Sequence, residues 1–269
     1  MGERFRVFSI GSLVIVILIL LTGCSGFGSS VSPATTTAQA ERAIRMATDI
    51  AEDMEATVEV IYQQALATAE ARQILLVEAK QWPLIFLETF DENERDWAEG
   101  EDEDPQYANI LWSLDEGKYQ WEVKAYDGFV WWVMPDMEKF ADFYLATTAQ
   151  QMNNPEYGEY GIIFRQTNDG DYYLFEIDEQ GNFAVYIHYL GEWESLIDWQ
   201  LSPEIKIGKE NHLAVIAKGA DFIFFINDQY VGGITDDRLE VGEAGLLIGL
   251  SYPEEEAIWE FDDFELRSP

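Results

Sequence analysis

From residue 84 to the C-terminus, apolar and polar positions alternate with a period of two. Tyr173, Phe175 and Ile177 fall on one side of a run, Tyr172, Leu174 and Glu176 on the other; Phe183, Val185 and Ile187 likewise oppose Ala184, Tyr186 and His188. Successive side chains on a strand point to opposite faces, so one side of each run is core. The other side is aromatic as well as polar, as expected of a sheet whose second face is partly covered. The same reading predicts strands at Ile85–Phe90, Tyr119–Lys124, Phe129–Val133, Phe140–Ala149, Gly161–Arg165, Tyr172–Ile177, Phe183–Leu190, Trp193–Ile197, His212–Ala217, Phe222–Ile226, Tyr230–Ile234, Ala244–Leu250 and Ile258–Leu266. Clusters such as Asn168-Asp169-Gly170, Gln180-Gly181-Asn182 and Asn227-Asp228 separate them, and such residues favour turns. Short strands without intervening helices indicate an all-β, antiparallel sandwich over residues 82–269.

Upstream the period changes. Residues 36–81 hold no Gly or Pro and are rich in Ala, Glu and Gln, which predicts one long helix. Ile44, Ala47, Ala51, Met54, Val58, Ile61 and Ala65 form an apolar seam at three- and four-residue spacing. Two uses compete, a spacer whose seam pairs with another helix and a helix lying on its own β domain; the Ala-rich seam favours the spacer and allows self-association. Residues 24–35, rich in Gly, Ser and Pro, suit a flexible tether. Arg4 and Arg6 followed by the apolar run Ser12 to Leu21 have the order of a signal peptide and fall short of the roughly 20 residues that span a bilayer. Leu21-Thr22-Gly23-Cys24 resembles the lipobox of bacterial lipoproteins. That resemblance implies removal of residues 1–23, lipidation of Cys24, and a chain anchored to the cell membrane on its extracytoplasmic side.

Charge and composition narrow the chemistry. A formal charge of −35 repels phosphate backbones and excludes nucleic acid as an expected partner. Cys24 is the sole cysteine, so no internal disulfide forms. His188 and His212 are the only histidines and sit on different predicted strands, which leaves no zinc site and no other expected metal or cofactor. The acidic stretches Asp91 to Asp96 and Glu101 to Asp104 lack the Asp-x-Asp-x-Asp-Gly spacing of a calcium loop and are expected to be solvated loops.

Tyr160 to Arg165, Asp171 to Ile177, Asn211 to Val215, Phe224 to Asp228, Gly242 to Leu246 and the closing Phe261 to Leu266 together resemble the concanavalin A-like lectin/glucanase superfamily over residues 84–267. Its laminin-G-like and 3-keto-disaccharide hydrolase-like jelly rolls are the most similar. The resemblance implies a jelly-roll sandwich whose last strand pairs near the first, around Leu87 to Phe90, and leaves lectin, hydrolase and scaffold roles open. Laminarinase-like relatives carry Glu-x-Asp-x-x-Glu; here Glu176-Ile177-Asp178-Glu179-Gln180-Gly181 puts a glycine at the acid/base place. No catalytic residue is therefore assigned. Glu176 and Asp178 are expected to serve a hairpin turn and face solvent.

Because Arg165 lies opposite Ile162 and Phe164 in the alternation, it is expected beside Tyr172, Glu176, Tyr186 and His188, with Trp132 and Trp193 bordering the same face. Aromatic rings stack on the apolar faces of pyranoses and a guanidinium forks onto hydroxyls, so these seven form the candidate carbohydrate- or ligand-binding set. Trp131 and Trp132, being adjacent, must point to opposite faces. The leading expectation is a membrane-anchored, non-catalytic binding sandwich. The alternatives are a glycoside hydrolase using carboxylates around Arg165, and an assembly module whose helix pairs with a partner.

Overall fold

The computed structural model describes residues 33–104, 106–153 and 158–269, so Cys24 and the signal sequence lie outside the described residues. Among the described residues one helix, α1, runs over Pro33–Ala79. It starts inside the expected tether. Proline has no N–H to satisfy and its fixed φ suits the first turn, so Pro33 opens the helix where the Gly/Ser composition suggested continued tether. The chain divides within α1 into two units, one ending at Gln64 and the other Ala65–Pro269. In the first, Ile44, Met54, Val58 and Ile61 of the seam are all exposed.

Fifteen strands follow: β1 Leu84–Glu88, β2 Gly100–Asp104, β3 Ala108–Asp115, β4 Lys118–Ala125, β5 Phe129–Val133, β6 Phe143–Gln151, β7 Gly158–Gln166, β8 Tyr172–Asp178, β9 Asn182–Tyr189, β10 Glu192–Leu201, β11 Asn211–Lys218, β12 Asp221–Ile226, β13 Gln229–Thr235, β14 Glu243–Leu250 and β15 Glu256–Arg267. They form two antiparallel sheets. The nine-stranded sheet runs β13-β12-β11-β6-β15-β4-β3-β2, with β1 also on β15. The six-stranded sheet runs β10-β9-β8-β7-β14-β5. Phe86 faces Leu266 across the β1–β15 pair, so the first strand closes on the last as the superfamily resemblance implies.

The inner faces meet as the alternation requires. Phe175, Ile177, Val185 and Ile187 of the six-stranded sheet and Leu213, Val215, Phe224, Trp121 and Trp259 of the other are fully buried in one core. Trp131 packs against that core, and Trp132 belongs to a separate cluster on the far side of its sheet. Turn chemistry matches the hairpins. Asn227 and Asp228 both take positive φ, the conformation a two-residue hairpin turn demands. Asn227 also ties the turn to the core edge, its amide donating to Glu204 O and to Asn211 Oδ1 at 2.7 and 2.9 Å.

Two strands were not expected. Glu101 to Asp104 is not a loop but the body of β2, an edge strand paired only with β3. A row of carboxylates on an edge discourages pairing with another chain, which is why so polar a segment is stable there. In β3, Ala108, Ile110 and Trp112 face the core with Asn109 and Leu111 turned outward. Phe140 makes only an isolated bridge to Gly242, and the strand expected to begin there starts at Phe143.

The last turns of α1 are not a spacer. Leu76 and Ala79, with Leu75 and Trp82, pack on Tyr144, Ala146, Ala214, Ile216 and Phe225 on the outer face of the nine-stranded sheet. The Arg72 guanidinium lies 3.7 Å from the Tyr230 ring centre, and Lys80 Nζ reaches Asp228 at 2.6 Å. These docked turns fall in the second unit, Ala65–Pro269. Arg72, Leu76 and Ala79, three and four residues apart, lie on the helix face turned to the sheet.

Candidate ligand-binding site

The outer face of the six-stranded sheet can be assembled row by row from its register. In one row Trp132 of β5 neighbours Leu247 of β14, then Gly161 of β7, Glu176 of β8 and Ala184 of β9. The next holds Gly245, Ile163, Leu174, Tyr186 and Ser195, and beyond it Tyr172, His188 and Trp193 stand abreast. On the other side Gly249, Glu159 and Asp178 form a row.

Five of the seven expected residues form one continuous aromatic ladder. Trp132 and Tyr172 have ring centres 5.0 Å apart, and Tyr172 stacks on His188 at 5.1 Å with 21° between planes. His188 meets Trp193 edge-on at 5.2 Å, and Tyr186 meets it at 6.3 Å. Ile163, Leu174 and Leu247 form the apolar bed beneath. Trp193 is 49% exposed and Tyr172 only 4%, so the ladder is anchored at Tyr172 and presents the Trp193 ring to solvent. The His188 ring is held by its Nδ1–H, which donates to Gly170 O at 2.9 Å. That bond leaves Nε2 as the acceptor in the neutral ring.

Glu176 also lies on this face, but not as expected. It is 4% exposed rather than solvated, and its Oε2 has no hydrogen-bond partner. The flanking positions across the strands are Gly161 and Ala184, which offer it no polar side chain. Burial raises its pKa well above the usual carboxylate range, reinforced by the charges of Glu159 and Asp178. Asp178 performs the expected turn role, accepting from the backbone N–H groups of Gln180 and Asn182.

Glu159 is the site residue that the sequence reading missed. Its carboxylate lies over Gly249, where an added Cβ would come within 2.7 Å of Oε2. Burial pushes its pKa up to about 7; the Ser251 hydroxyl opposes the rise, while Asp178 and Glu255 add to it. The same crowding reaches the phenols. Burial and then Glu176 push Tyr172 up to about 12, and burial, Glu176, Glu159 and Asp198 raise Tyr186. The signal was available in the register: Glu159 is two residues before Gly161, hence on its face.

Arg165 is not in this site, which corrects the expected convergence. At φ +51° it forms a bulge, with Gln166 opposite Glu243 and Phe164 opposite Ala244. The extra residue inverts the alternation and re-aims the side chain. Its guanidinium donates to Leu239 O, Ala141 O and Gly219 O at 2.6 to 2.7 Å and sits 4.6 Å from the Phe222 ring centre. At 1% exposure it is a structural strut between strands and loops. No pair with Glu176 forms.

The sequence matches no family model and no curated protein. Solved structures do match. One comes from a study of endo-acting O-glycanases with which members of the human gut microbiota initiate mucin breakdown: 11% identical, TM-score 0.50, covering 70% of this chain and 100% of the other. A carbohydrate-binding module from Bacillus subtilis is 17% identical with TM-score 0.46 over 70% of this chain and 95% of that one. A Bacillus subtilis protein of unknown function with a galectin-like fold is 14% identical with TM-score 0.47, over 69% and 96%. The class so defined is the antiparallel jelly-roll β-sandwich, here with an N-terminal helix.

Proposed function

We propose that this chain is a carbohydrate-binding protein that takes its ligand on the outer face of the six-stranded sheet, without catalysing a reaction. The ladder Trp132, Tyr172, His188, Trp193 and Tyr186 carries this reading. Sugar rings present apolar C–H faces that stack on such rings, and the neighbouring carboxyls and the His188 ring supply the hydrogen bonds that fix orientation. The O-glycanase and carbohydrate-binding-module likenesses are consistent with it as fold analogies. The test is a glycan array probed with the purified protein: specific hits are expected, and a blank array across plant, microbial and host glycans would retire the proposal.

Hydrolysis is the second reading, favoured by Glu159 and Glu176, diagonal neighbours whose pKa values are both raised. A protonated carboxyl is what a general acid needs. The version built around Arg165 has lost its arginine. Turnover of oligosaccharides by the wild type that vanishes in Glu176→Gln would establish it in place of the first.

For location, the Leu21-Thr22-Gly23-Cys24 motif supports lipid anchoring at Cys24 on the extracytoplasmic side of the cell membrane. Incorporation of labelled fatty acid by the wild type and none by Cys24→Ala checks this. The exposed seam from Ile44 to Ile61 supports pairing of α1 with a second copy.

A further inference from the structure

We infer that the glycan taken by this face carries free, protonated amino groups, because a buried carboxylate, Glu176, and a half-buried one, Glu159, stand beside the aromatic ladder without any basic partner. The inference rests on the carbohydrate reading of the same face. Glu176 is almost wholly buried with Oε2 unpartnered, and Glu159, less buried, lies beside it toward the strand end. A buried carboxylate without a partner is costly and is ordinarily met by a cation or a proton.

Among the described residues no basic side chain pairs with either acid. The charged groups that act on them are all acidic: Glu159 and Asp178 on Glu176, and Asp178 and Glu255 on Glu159. Tyr172 and Tyr186 also feel Glu176, and Asp198 of β10 adds a further acid beside Tyr186. Basic side chains near this sheet are engaged elsewhere. Arg165 is held by three carbonyls, Lys139 donates to Asn168, and Arg238 binds Asp236 and Glu194.

The form of the missing cation follows from the surroundings. Among the described residues no three Asp, Glu, His or Cys side chains converge on a point that suits a metal ion. Aromatic rings flank the acids instead, and their faces attract an ammonium group as well as a sugar ring. Gly161, Ala184 and Gly249 keep the strip around the acids low, which suits a sugar lying flat against the sheet. An amino sugar with its nitrogen unacetylated answers both features at once, stacking its ring and placing –NH3+ on the carboxylates.

Three tetrasaccharides of β-1,4 linkage separate the outcomes in calorimetric titration of the whole protein near neutral pH: glucosamine, N-acetylglucosamine and glucose oligomers. The glucosamine oligomer is expected to bind about tenfold or more tighter than the other two, the scale of one charge-assisted contact plus a cation–π contact. Because the protein is strongly acidic overall, two variants that each replace two acidic residues separate the site from bulk charge. The preference should collapse in E159Q/E176Q and persist in E101Q/E103Q on the remote β2 edge. The single Glu159→Gln, at the less buried acid, should lose most of it and guards against misfolding of the double variant.

Equal or tighter binding of the neutral oligomers overturns the inference while the carbohydrate reading stands. So does equal loss in both double variants, which would reduce the effect to bulk charge, and so does binding of other glycans but none of these three. Absence of binding to any glycan removes both readings.

Discussion

Arg165 shows how far one backbone angle reaches. Held at φ +51°, it leaves the ligand face and puts its guanidinium on three carbonyls, those of buried Leu239 and of the loop residues Ala141 and Gly219. Arg165→Met should therefore lower the unfolding free energy by about 2–3 kcal/mol, the scale of losing charge-assisted hydrogen bonds and leaving one buried carbonyl without its donor, and leave ligand affinity unchanged. Denaturant unfolding and titration of the same variant check both halves; lost affinity at full stability would return Arg165 to the site. This inversion was not legible in the sequence. Alternation puts Arg165 beside Tyr172, and only the register with β14 reveals the bulge. The ladder itself was legible, because Tyr172, Tyr186 and His188 sit out of phase with an unmistakable core set. Glu176 was half legible: its face was right, but its burial depends on neighbours brought by other strands, and so does the pairing with Glu159.

Among the elements, the alternating strands β8 and β9 could be read directly, since every second residue is a large apolar one. β2 could not, because an edge strand of carboxylates contains no apolar signal at all. Helix α1 was found, but its division of labour was not: an Ala-rich seam looks the same on a sheet as against another helix. The structure assigns Leu76 and Ala79 to the sheet and leaves Ile44 to Ile61 exposed. A chain beginning at Ala65 should accordingly keep the midpoint of unfolding and sediment as a monomer, whereas one beginning at Trp82 should lose about 2–4 kcal/mol, the worth of burying one or two leucine-sized side chains. Sedimentation and denaturant melts of the two truncations decide this. Equal stability would mean that the docked turns contribute nothing, and a monomeric full-length chain would end the proposal of helix pairing.

At the scale of the whole molecule, the raised carboxyls couple stability to pH. For Glu159 the folded protein holds the proton up to about 7, against an ordinary value of 4.5, and Glu176 is shifted in the same direction. A raised acid stabilises the fold fully below its unfolded pKa, and that contribution disappears as pH rises through the folded pKa. Stability should thus decline between about pH 4.5 and 7, more steeply in the wild type than in E159Q/E176Q. His212, depressed by burial, works in the opposite sense as pH falls, so the difference between the two proteins is the informative quantity. Parallel profiles would contradict the placement of the two acids in a dry site.

The same face that carries these raised carboxyls also presents the exposed Trp193 ring, and β10 supplies a matched control in Trp199, which is 36% exposed and outside the ladder. The most direct measurement is the affinity of an array-identified glycan for the wild type, Trp193→Ala and Trp199→Ala. Binding on the six-stranded face requires roughly tenfold or greater loss in Trp193→Ala, as for a central aromatic anchor, and little change in Trp199→Ala. Undiminished affinity in Trp193→Ala would place the ligand elsewhere on the molecule.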